Sequence, residues 1–396
     1  MSFLAEEARR VQSRLVQWRR HLHQNPEIGT EVPQTAAFVA GRLREMGLAV
    51  RDGVGGLGVV GLLEGGHTGP TLAIRADMDA LKVTEETGLP FASKHPGRMH
   101  ACGHDGHTAI ALGTAEILAS HREQLQGNVK FIFQPAEEGP GGAKPMIQDG
   151  ALLNPKVDAV IGLHLGVIWD LPPGTVGVRS GPMMASTDRV EITIKGKGGH
   201  GAMPHQTVDA VAIGAQVVTA LQTIVSRRVD PLEPAVVTIG SFHAGTAFNV
   251  IADTAVMQGT VRCLRESLRQ RMPEHIERMV QGVATGMGAE ASLNYRPGHP
   301  VLENDPEFTA FFAGVAKEVL GEGKVVTLSQ PTMGGEDMSY FLNEVPGTYF
   351  FLASGNPAKG IVYPHHHPRF DIDEDVLWMG VALFAEAAWR WLDNQA

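Results

Sequence analysis

The first part of the chain alternates between helical and strand-like hydrophobic patterns. One helix is predicted by apolar side chains at helical spacing: Val11, Leu15, Trp18 and Leu22. A second helix is predicted from Gln34 until Gly47 ends it. Short apolar runs predict buried strands at Gly58–Leu63, Thr71–Ala76, Val129–Phe133 and Val157–Leu163. Because helical stretches separate several of these runs, the pattern predicts an α/β domain with a buried sheet.

The pattern changes between residues 186 and 296. The predicted order is strand, helix, strand, strand, helix and strand, at Arg189–Lys195, Thr207–Arg228, Ala235–Phe242, Ala255–Cys263, Leu268–Thr285 and Ala291–Tyr295. This βαββαβ order is typical of a ferredoxin-like two-layer sandwich. The α/β pattern then resumes with helix Pro306–Leu320, strand Thr348–Leu352 and helix Asp373–Trp391. We therefore predict a discontinuous α/β domain of residues 1–185 and 297–396, with an inserted domain of residues 186–296.

Composition excludes several classes of protein. Hydrophobic residues make up 43% and charged residues 19% of the 396 positions, as in soluble globular proteins. The formal net charge of −10 and the lack of a basic cluster argue against a nucleic-acid partner. Only two cysteines are present, Cys102 and Cys263, which favours a reducing compartment. With no signal-peptide pattern and no apolar run expected to span a membrane, we predict a cytoplasmic protein without membrane contact.

The segment Met99–His107 combines a thiol, three imidazoles and a carboxylate in nine positions separated by two glycines. Such donors select divalent ions of intermediate softness, such as zinc, manganese, cobalt or nickel. Cys102 and His104 are therefore interpreted as metal ligands. His107 stands just before the predicted helix Thr108–Ala119, which favours a buried, hydrogen-bonded histidine at that position.

Further candidates follow the predicted strands, where open α/β sheets bind their ligands. They are Asp77, Asp79, the pair Glu137 and Glu138, and His164. Adjacent carboxylates point in different directions, so one can bind metal while the other acts as a general base. A lone histidine at a strand end is more often a hydrogen-bonded core residue. The run His365–His367 before a proline is a better candidate, and one of its imidazoles is expected to bind metal.

Other functions fit parts of the sequence. Gly53–Gly58 matches the dinucleotide fingerprint, but a strand and a turn follow it instead of a helix, which argues against an oxidoreductase. A cysteine hydrolase that uses Cys102 and a neighbouring histidine would resist chelators. A metal-storage protein would leave Glu137 without a role. The glycine-rich segment Gly198–His205 suits equally a hairpin with an exposed histidine and a His200 that reaches a ligand.

Taken in order, these segments closely resemble the metal-dependent amidohydrolases that include hippurate hydrolase, N-acyl-amino-acid amidohydrolases and auxin-conjugate hydrolases. Aminoacylase and carboxypeptidase G are more distant members. The resemblance covers essentially the whole chain, and its marks are Arg75–Leu81, Met99–Thr108, Gln134–Gly139, Gly162–His164, Gly198–His200, Phe248–Ile251, Gly334–Asp337 and His366–Phe370. It implies a zinc-peptidase-like catalytic domain, with the insert as a dimerisation and lid domain.

The resemblance also implies a site with two divalent ions per subunit, of manganese, zinc, cobalt or nickel. Cys102 would bridge the ions, and the other implied ligands are His104, Glu138, His164 and His366. Glu137 is implied as the general base. Aminoacylase-type relatives take a ligand from a His-x-Asp motif, where this chain has Asp77-Met78-Asp79. Asp79 is therefore expected to orient a ligand rather than to bind metal.

Three further roles rest on similar enzymes. The ligand histidine stands two residues before the proline, which selects His366 here, although its two histidine neighbours keep that assignment open by one position. His200 matches a histidine of the insert that stabilises the oxyanion, often in the partner subunit of a homodimer. Asn249 and Arg262 match contacts to the substrate carboxylate, and a guanidinium suits a planar carboxylate.

The implied activity is hydrolysis of the amide bond of N-acyl amino acids, with an N-acetyl, N-benzoyl or similar acyl group. The products would be a carboxylic acid and a free amino acid. A metallo-carboxypeptidase or dipeptidase, and an N-acetyl-diaminopimelate deacetylase, are the alternatives within the same resemblance.

Overall fold

The computed structural model describes residues 2–395, which form two compact units. The first unit comprises the chain up to Gly181, Glu303–Gln330, and the chain from Tyr340 onward. The second comprises Pro182–Leu302 and Pro331–Ser339. The second unit thus contains the predicted insert and adds a few residues on either side, together with a nine-residue segment from later in the chain. A backbone hydrogen bond of 2.8 Å from Ala185 N–H to the Gly334 carbonyl ties that segment to the unit.

The helices and strands of the described chain are numbered in chain order. The α-helices are α1 (Phe3–Arg10), α2 (Gln12–Gln24), α3 (Pro33–Glu45), α4 (His104–Ser120), α5 (Ala143–Gln148), α6 (Ala210–Arg227), α7 (Glu266–Arg269), α8 (Met272–Gly286), α9 (Pro306–Leu320), α10 (Met338–Glu344) and α11 (Leu377–Gln395). The strands are β1 (Ala49–Val54), β2 (Gly58–Glu64), β3 (His67–Asp77), β4 (Gln126–Gln134), β5 (Ala159–Gly166), β6 (Val176–Val178), β7 (Gly181–Met184), β8 (Asp188–Lys195), β9 (Gly199–His200), β10 (Ala235–Ala244), β11 (Val250–Ile251), β12 (Thr254–Cys263), β13 (Glu290–Arg296), β14 (Leu302–Asn304), β15 (Val325–Thr327) and β16 (Gly347–Ala353).

The first unit is built on an eight-stranded sheet in the order β1-β2-β4-β3-β5-β16-β6-β15. Its central strands β4, β3, β5 and β16 are parallel, and antiparallel pairs join β1, β2 and β6 to them. The strands β4, β5 and β16 are buried almost along their whole length, and β3 is buried from Thr71 onward, as their continuous apolar runs predict. Their carboxyl ends therefore lie at one edge of the sheet, which confirms the predicted α/β fold.

Helix α4 begins earlier than the sequence pattern indicates. It starts at His104 rather than Thr108, because Gly103 precedes it in the left-handed region with φ of 90°. Gly106 lets this helix approach β5, since a Cβ there would lie 2.6 Å from Leu165 Cδ1. The histidine-rich segment thus forms the first turn of a buried helix, next to the end of β5.

The glycine-rich segment Gly53–Gly58 connects two antiparallel strands. β1 ends at Val54 and β2 begins at Gly58, and the two strands pair with each other. A dinucleotide fingerprint requires a helix after the glycines, because the helix N-terminus binds the pyrophosphate. The structure therefore agrees with the sequence-based argument against an oxidoreductase.

The second unit has the predicted βαββαβ order. Its four-stranded antiparallel sheet runs β10-β12-β8-β13, which is the ferredoxin-like arrangement. The single helix predicted at Leu268–Thr285 is wrong, because the structure has two helices there, α7 and α8. Pro273 lies in the first turn of α8, where its missing N–H costs no helical hydrogen bond, so a helix starts anew at this point.

Helix α6 is the only helix of the described chain that is long and apolar enough to cross a membrane, contrary to the sequence expectation that none would be. Its buried residues include Ile213, Val217 and Leu221, which belong to the hydrophobic core of the second unit. The apolar character of α6 is therefore explained by packing on the antiparallel sheet.

Candidate metal centre

The predicted ligands come together at the carboxyl edge of the parallel strands. Together with Asp79 and Glu137 they come from five parts of the fold: Asp79 follows β3, Glu137 and Glu138 follow β4, His164 lies near the end of β5, Cys102 and His104 lie just before and at the start of α4, and His366 lies in the loop between β16 and α11. Most of these side chains are buried, and all belong to the first unit. The convergence follows from parallel topology, which brings separate strand ends to one edge.

His104 is oriented with one ring nitrogen toward the cluster. Its Nδ1 donates to the Asp79 carbonyl at 2.9 Å, so Nε2 carries the lone pair when the ring is neutral. Nε2 is buried and has no hydrogen-bond partner among the described residues. Burial alone lowers the pKa of His104, but the Asp77 and Asp79 carboxylates outweigh burial and raise it to about 10. The neighbouring carboxylates therefore favour a positive charge at Nε2, and a bound metal ion would supply it.

Cys102 and His164 form the second part of the cluster. Cys102 Sγ lies 3.5 Å from His164 Nε2, and His164 Nδ1 donates to the Leu165 carbonyl at 2.6 Å. Burial raises the pKa of the Cys102 thiol, and the negative charges of Glu138 and Glu137 raise it further. A thiol in this surrounding is not an activated nucleophile, because its thiolate needs a cation beside it. This observation argues against the cysteine-hydrolase alternative.

The three consecutive histidines have three different surroundings. His366 Nε2 lies 3.1 Å from Glu138 Oε1, whereas His365 Nε2 donates to the Leu165 carbonyl at 2.9 Å. The ring of His367 stacks on Tyr363 with centroids 4.5 Å apart. Of the three, only His366 adjoins another predicted ligand through its ring nitrogen. This is the position that the spacing from the proline selects.

His366 has a left-handed backbone, with φ of 66°. Such a conformation costs roughly 1–3 kcal/mol for a residue other than glycine, so its surroundings must hold it. A hydrogen bond of 2.8 Å from its own N–H to the Ala101 carbonyl contributes to this. Ala136, just before Glu137, also has a positive φ, of 59°. Strained backbone thus occurs at two points where side chains turn into the cluster.

The donor atoms are close enough to share metal ions. The potential ligand atoms lie within 4.8 Å of one another in each of three groups: Cys102 with His104 and His164, Cys102 with Glu138 and His366, and His104 with Glu137 and Glu138. Cys102 belongs to two of these groups, so its sulfur is placed where a ligand shared by two ions would be. Thiolate, imidazole and carboxylate together suit divalent ions of intermediate softness. The residues therefore fit a two-ion site.

Asp79 holds the Glu137–Glu138 turn. Its two carboxylate oxygens accept hydrogen bonds from the backbone N–H groups of Glu137 at 2.9 Å and of Glu138 at 3.2 Å. Its own carbonyl accepts the His104 Nδ1 proton. Asp79 thus contacts two elements that carry predicted ligands, one through its carboxylate and one through its carbonyl, as an orienting role requires.

We predict that Asp79→Asn weakens metal binding by about 10- to 100-fold, because an amide NH₂ group would face one of the two N–H donors. Titration of the metal-free variant with Mn²⁺ or Zn²⁺ in competition with a chelator measures the change. The matched control is Asp158→Asn, since Asp158 accepts from one backbone N–H, that of Thr71, at 2.9 Å and lies just before β5 at the opposite sheet edge. Equal affinity in the Asp79 variant and the wild type would contradict the prediction.

His107 is hydrogen-bonded on both ring nitrogens, as its predicted role requires. Nε2 accepts from the Leu165 N–H at 2.8 Å, so the ring proton is on Nδ1, which donates to Asp77 Oδ1 at 2.6 Å. Arg75 donates to the other oxygen of Asp77 at 2.8 Å. Burial would raise the pKa of Asp77, but His104, His107 and Arg75 keep it well below its usual range. Asp77 is thus a buried anion next to the predicted ligand His104.

A buried ion network behind α4 is not evident from the sequence motifs. Asp105 Oδ2 accepts from Arg19 Nε and from His23 Nδ1, both at 2.8 Å, and Arg19 also pairs with Asp371. Burial would raise the pKa of Asp105, but the interactions with Arg19 and His23 outweigh the effect of burial and lower this pKa strongly. One signal was available, because Arg19 and His23 lie four residues apart on the buried face of α2 with Leu15 and Leu22.

The predicted substrate-contacting residues lie in the second unit. His200 is exposed on β9, and its neighbour Gly201 donates a backbone hydrogen bond of 2.8 Å to the Asn249 carbonyl. β9 pairs with β11, so His200 and Asn249 adjoin each other. Arg262 lies near the Cys263 end of β12, whereas β11 precedes the Thr254 end of that strand. The Arg262 side chain is half-buried, and its guanidinium has no hydrogen-bond acceptor among the described residues. The second unit therefore has two separate positions for contact with a polar substrate, one at His200 and Asn249 and one at Arg262.

A parallel α/β sheet with thiolate, imidazole and carboxylate donors at its carboxyl edge, beside a further buried carboxylate, defines a metal-dependent hydrolase. Comparison with known proteins narrows this class. The chain matches Peptidase family M20/M25/M40 over residues 73–390 and belongs to that family. The resemblance to metal-dependent amidohydrolases is thereby confirmed.

Individual relatives match most of the chain. An N-acyl-L-amino acid amidohydrolase from Geobacillus stearothermophilus is 50% identical over 298 residues, covering 74% of this chain and 79% of that protein. Thermostable carboxypeptidase 1 from Saccharolobus solfataricus is 41% identical and covers 96% of both chains. The structure is similar to that of the Bacillus subtilis YXEP protein, described as a dinuclear metal binding peptidase from the M20 family. It has a TM-score of 0.85 and 38% identity, and the match covers 98% of this chain and 99% of that one.

Proposed function

We propose that this protein hydrolyses the amide bond of N-acyl amino acids and releases a carboxylic acid and a free amino acid. The observation that carries the proposal is the pair of donor groups sharing Cys102, with Glu137 held beside them. Metal-assisted hydrolysis needs both a metal site and a separate carboxylate for proton transfer. Similarity to the Geobacillus stearothermophilus amidohydrolase supports N-acyl amino acids as the substrate class.

The ions would be held by Cys102, His104, Glu138, His164 and His366, with the sulfur shared between two sites. When bound, divalent ions supply Lewis-acid chemistry that polarises the scissile carbonyl and makes water a stronger acid. Glu137 is the general base: it takes the proton of the attacking water and delivers it to the nitrogen of the leaving amine. Asp79 keeps the backbone of Glu137 and Glu138 in place, so that the two carboxylates divide these tasks. Because a thiol ligand must stay reduced, we place the enzyme in the cytoplasm.

Arg262 is the proposed contact for the carboxylate of the substrate. Burial lowers the pKa of its guanidinium, and the charge of Asp188 offsets this only in part, so a bound anion would stabilise the half-buried charge further. Gly335 leaves it room, since a Cβ there would lie 3.1 Å from Arg262 Nη1 and 2.0 Å from Thr187 Cγ2. A planar guanidinium can bind a carboxylate through two hydrogen bonds.

We predict that Arg262→Met lowers kcat/KM for N-acyl amino acids about 10- to 100-fold, mainly by raising KM, because a charge-assisted hydrogen bond contributes roughly 1.5–3 kcal/mol. The corresponding N-acyl amino-acid amides, which lack the carboxylate, should be affected far less. Steady-state kinetics on both substrate series measures the difference. Equal losses on acids and amides would assign Arg262 to another task.

We further propose that the enzyme acts as a homodimer in which His200 serves the partner's catalytic site. Within one insert, His200 and Asn249 adjoin the Thr254 end of β12, whereas Arg262 lies at its other end. The Thr254–Arg262 stretch is roughly 25 Å long at the usual rise per strand residue. One small N-acyl amino acid cannot span that distance. Two copies of the insert would allow Arg262 of one chain and His200 of the other to contact a single substrate.

Subunit mixing tests this arrangement. His200→Ala and Glu137→Ala proteins should each be nearly inactive, since loss of one oxyanion donor costs about 10²- to 10³-fold in rate. After subunit exchange, heterodimers with one intact site should reach at most about half of the wild-type specific activity. Differently tagged subunits verify the exchange, and a mixture of two His200→Ala preparations is the control. Verified exchange without recovered activity would exclude action across the dimer.

The metallo-carboxypeptidase alternative is favoured by the similarity to thermostable carboxypeptidase 1. A substrate panel distinguishes the two functions: N-acetyl, N-benzoyl and longer N-acyl amino acids against peptides with a free amino terminus. Release of free amino acid is measured for manganese-, zinc- and cobalt-loaded protein. We expect higher kcat/KM for the N-acyl amino acids. Preference for unblocked peptides of three or more residues would favour the carboxypeptidase.

A further inference from the structure

Three imidazoles meet at the backbone of Leu165, directly after the predicted ligand His164. The Leu165 carbonyl accepts from His164 Nδ1 at 2.6 Å and from His365 Nε2 at 2.9 Å. The Leu165 N–H donates to His107 Nε2 at 2.8 Å. Both lone pairs of the carbonyl and the single N–H are therefore used by histidine side chains.

The same histidines also pack against the ring of His164. The centroid of His164 lies 4.9 Å from that of His365 and 4.9 Å from that of His107, with interplanar angles of 88° and 73°. The ring is thus held edge-on from two sides. Its Nδ1 is turned to the Leu165 carbonyl, so Nε2 faces Cys102 Sγ at 3.5 Å.

The absence of a side chain at residue 166 leaves space for the imidazole of His365. Gly166 has φ of 134°, and a Cβ there would lie 1.8 Å from His365 Nε2. Only glycine can place its backbone so close to the imidazole. The close approach lets His365 reach the Leu165 carbonyl from the loop that also carries His366.

We propose that His365 is a positioning residue for the metal ligand His164. By donating to the Leu165 carbonyl, it fixes the peptide group that accepts the His164 Nδ1 proton, while His107 fixes the preceding peptide group by accepting from the Leu165 N–H. Since His365 directly precedes His366, the same hydrogen bond ties the loop of one predicted ligand to the strand of another. This inference rests on the proposed function, because it requires metal binding by His164.

The test compares two variants of similar size. His365→Met removes the donor, whereas His365→Gln keeps an N–H at the end of the side chain. Groups that orient a metal ligand typically contribute about 10- to 100-fold to metal affinity, so we expect a loss of that size in the Met variant and recovery of most of it in the Gln variant. Affinity for Mn²⁺ and Zn²⁺ is measured by competition with a chelator, without any activity assay. His367→Leu is the matched control and should bind as the wild type does.

The thermal midpoint of the metal-free proteins separates positioning from general stability. We expect the metal-free Met variant to unfold within a few degrees of the metal-free wild type. Equal affinity in the Met variant and the wild type would overturn the inference, as would equal weakening in the Met and Gln variants. A large fall in the metal-free midpoint of both would also overturn it, since His365 would then be a packing residue. Failure of the wild type to bind metal would instead refute the proposed function.

Discussion

Removal of divalent ions is expected to abolish amide hydrolysis by this protein, and addition of Mn²⁺, Zn²⁺ or Co²⁺ to the metal-free protein is expected to restore it. The physical reason is the composition of the cluster at the sheet edge. His104 Nε2 is buried without a hydrogen-bond partner among the described residues, and the Cys102 thiol has a raised pKa beside Glu138 and Glu137. Without a cation, the Cys102 thiol stays protonated in these surroundings, and no Lewis acid is present to polarise the scissile carbonyl.

The measurement is amino-acid release before chelation, after chelation and after addition of each ion, with bound metal determined in parallel. Metal binding to the folded state should also raise the thermal midpoint, with about 2.7 kcal/mol of stabilisation at 100 times the dissociation constant. Thiol alkylation of the chelated and the loaded protein is a useful control, because bound metal should protect Cys102. Full activity in protein shown to be metal-free would refute the metal-dependent mechanism and revive the cysteine-hydrolase alternative.

Substitution of the two adjacent glutamates is expected to separate catalysis from metal binding. Glu137→Gln should lower kcat by about 10²- to 10⁴-fold while both ions remain bound, since a general base contributes an effect of that size. Glu138→Gln should lose metal, because its carboxylate adjoins His366 at 3.1 Å and shares a donor group with Cys102. The backbone bonds to Asp79 do not involve either side chain, so both substitutions leave the turn in place.

Metal analysis and steady-state kinetics on the same preparations decide the assignment. The two variants are matched controls for each other, as they differ by one position and carry the same isosteric change. Loss of metal from Glu137→Gln with retention in Glu138→Gln would exchange their roles. Retention of metal and activity in both would place the general base elsewhere.

Much of the architecture was predictable, because buried helices and strands have regular patterns of apolar residues in the sequence. The parallel strands β3, β4 and β5 have continuous apolar runs, and the insert keeps its βαββαβ order. Some strands were missed where that signal is weak or short. β1 is largely exposed and β6 has only three residues, so each depends on pairing with a neighbouring strand rather than on its own pattern.

Within the site, residue types and spacing made Cys102, His104 and the paired glutamates candidates, because such donors rarely coincide at strand ends by chance, and the structure brings their donor atoms close together. The spacing of residues in the sequence does not reveal the hydrogen-bond partners of these side chains. That Asp79 accepts from two backbone N–H groups, while Asp77 binds His107 and Arg75, depends on how β3 and β4 end beside each other. Alternation along a strand places the two aspartates on the same face and cannot distinguish them.

The sequence by itself determined the α/β class, and it predicted the inserted domain and the donor types of the candidate metal centre, since hydrophobic periodicity and side-chain chemistry are properties of the chain. The spacing from the proline favoured His366 and left its two neighbours open, and only the tertiary structure gave the three histidines separate surroundings, with His366 beside Glu138, His365 on the Leu165 carbonyl and His367 stacked on Tyr363. The direction of each ring depends on backbone torsions, including the positive φ of His366, which are held by contacts with distant parts of the chain. Local sequence does not encode such contacts, because they form only when separate strand ends and loops meet at one edge of the sheet.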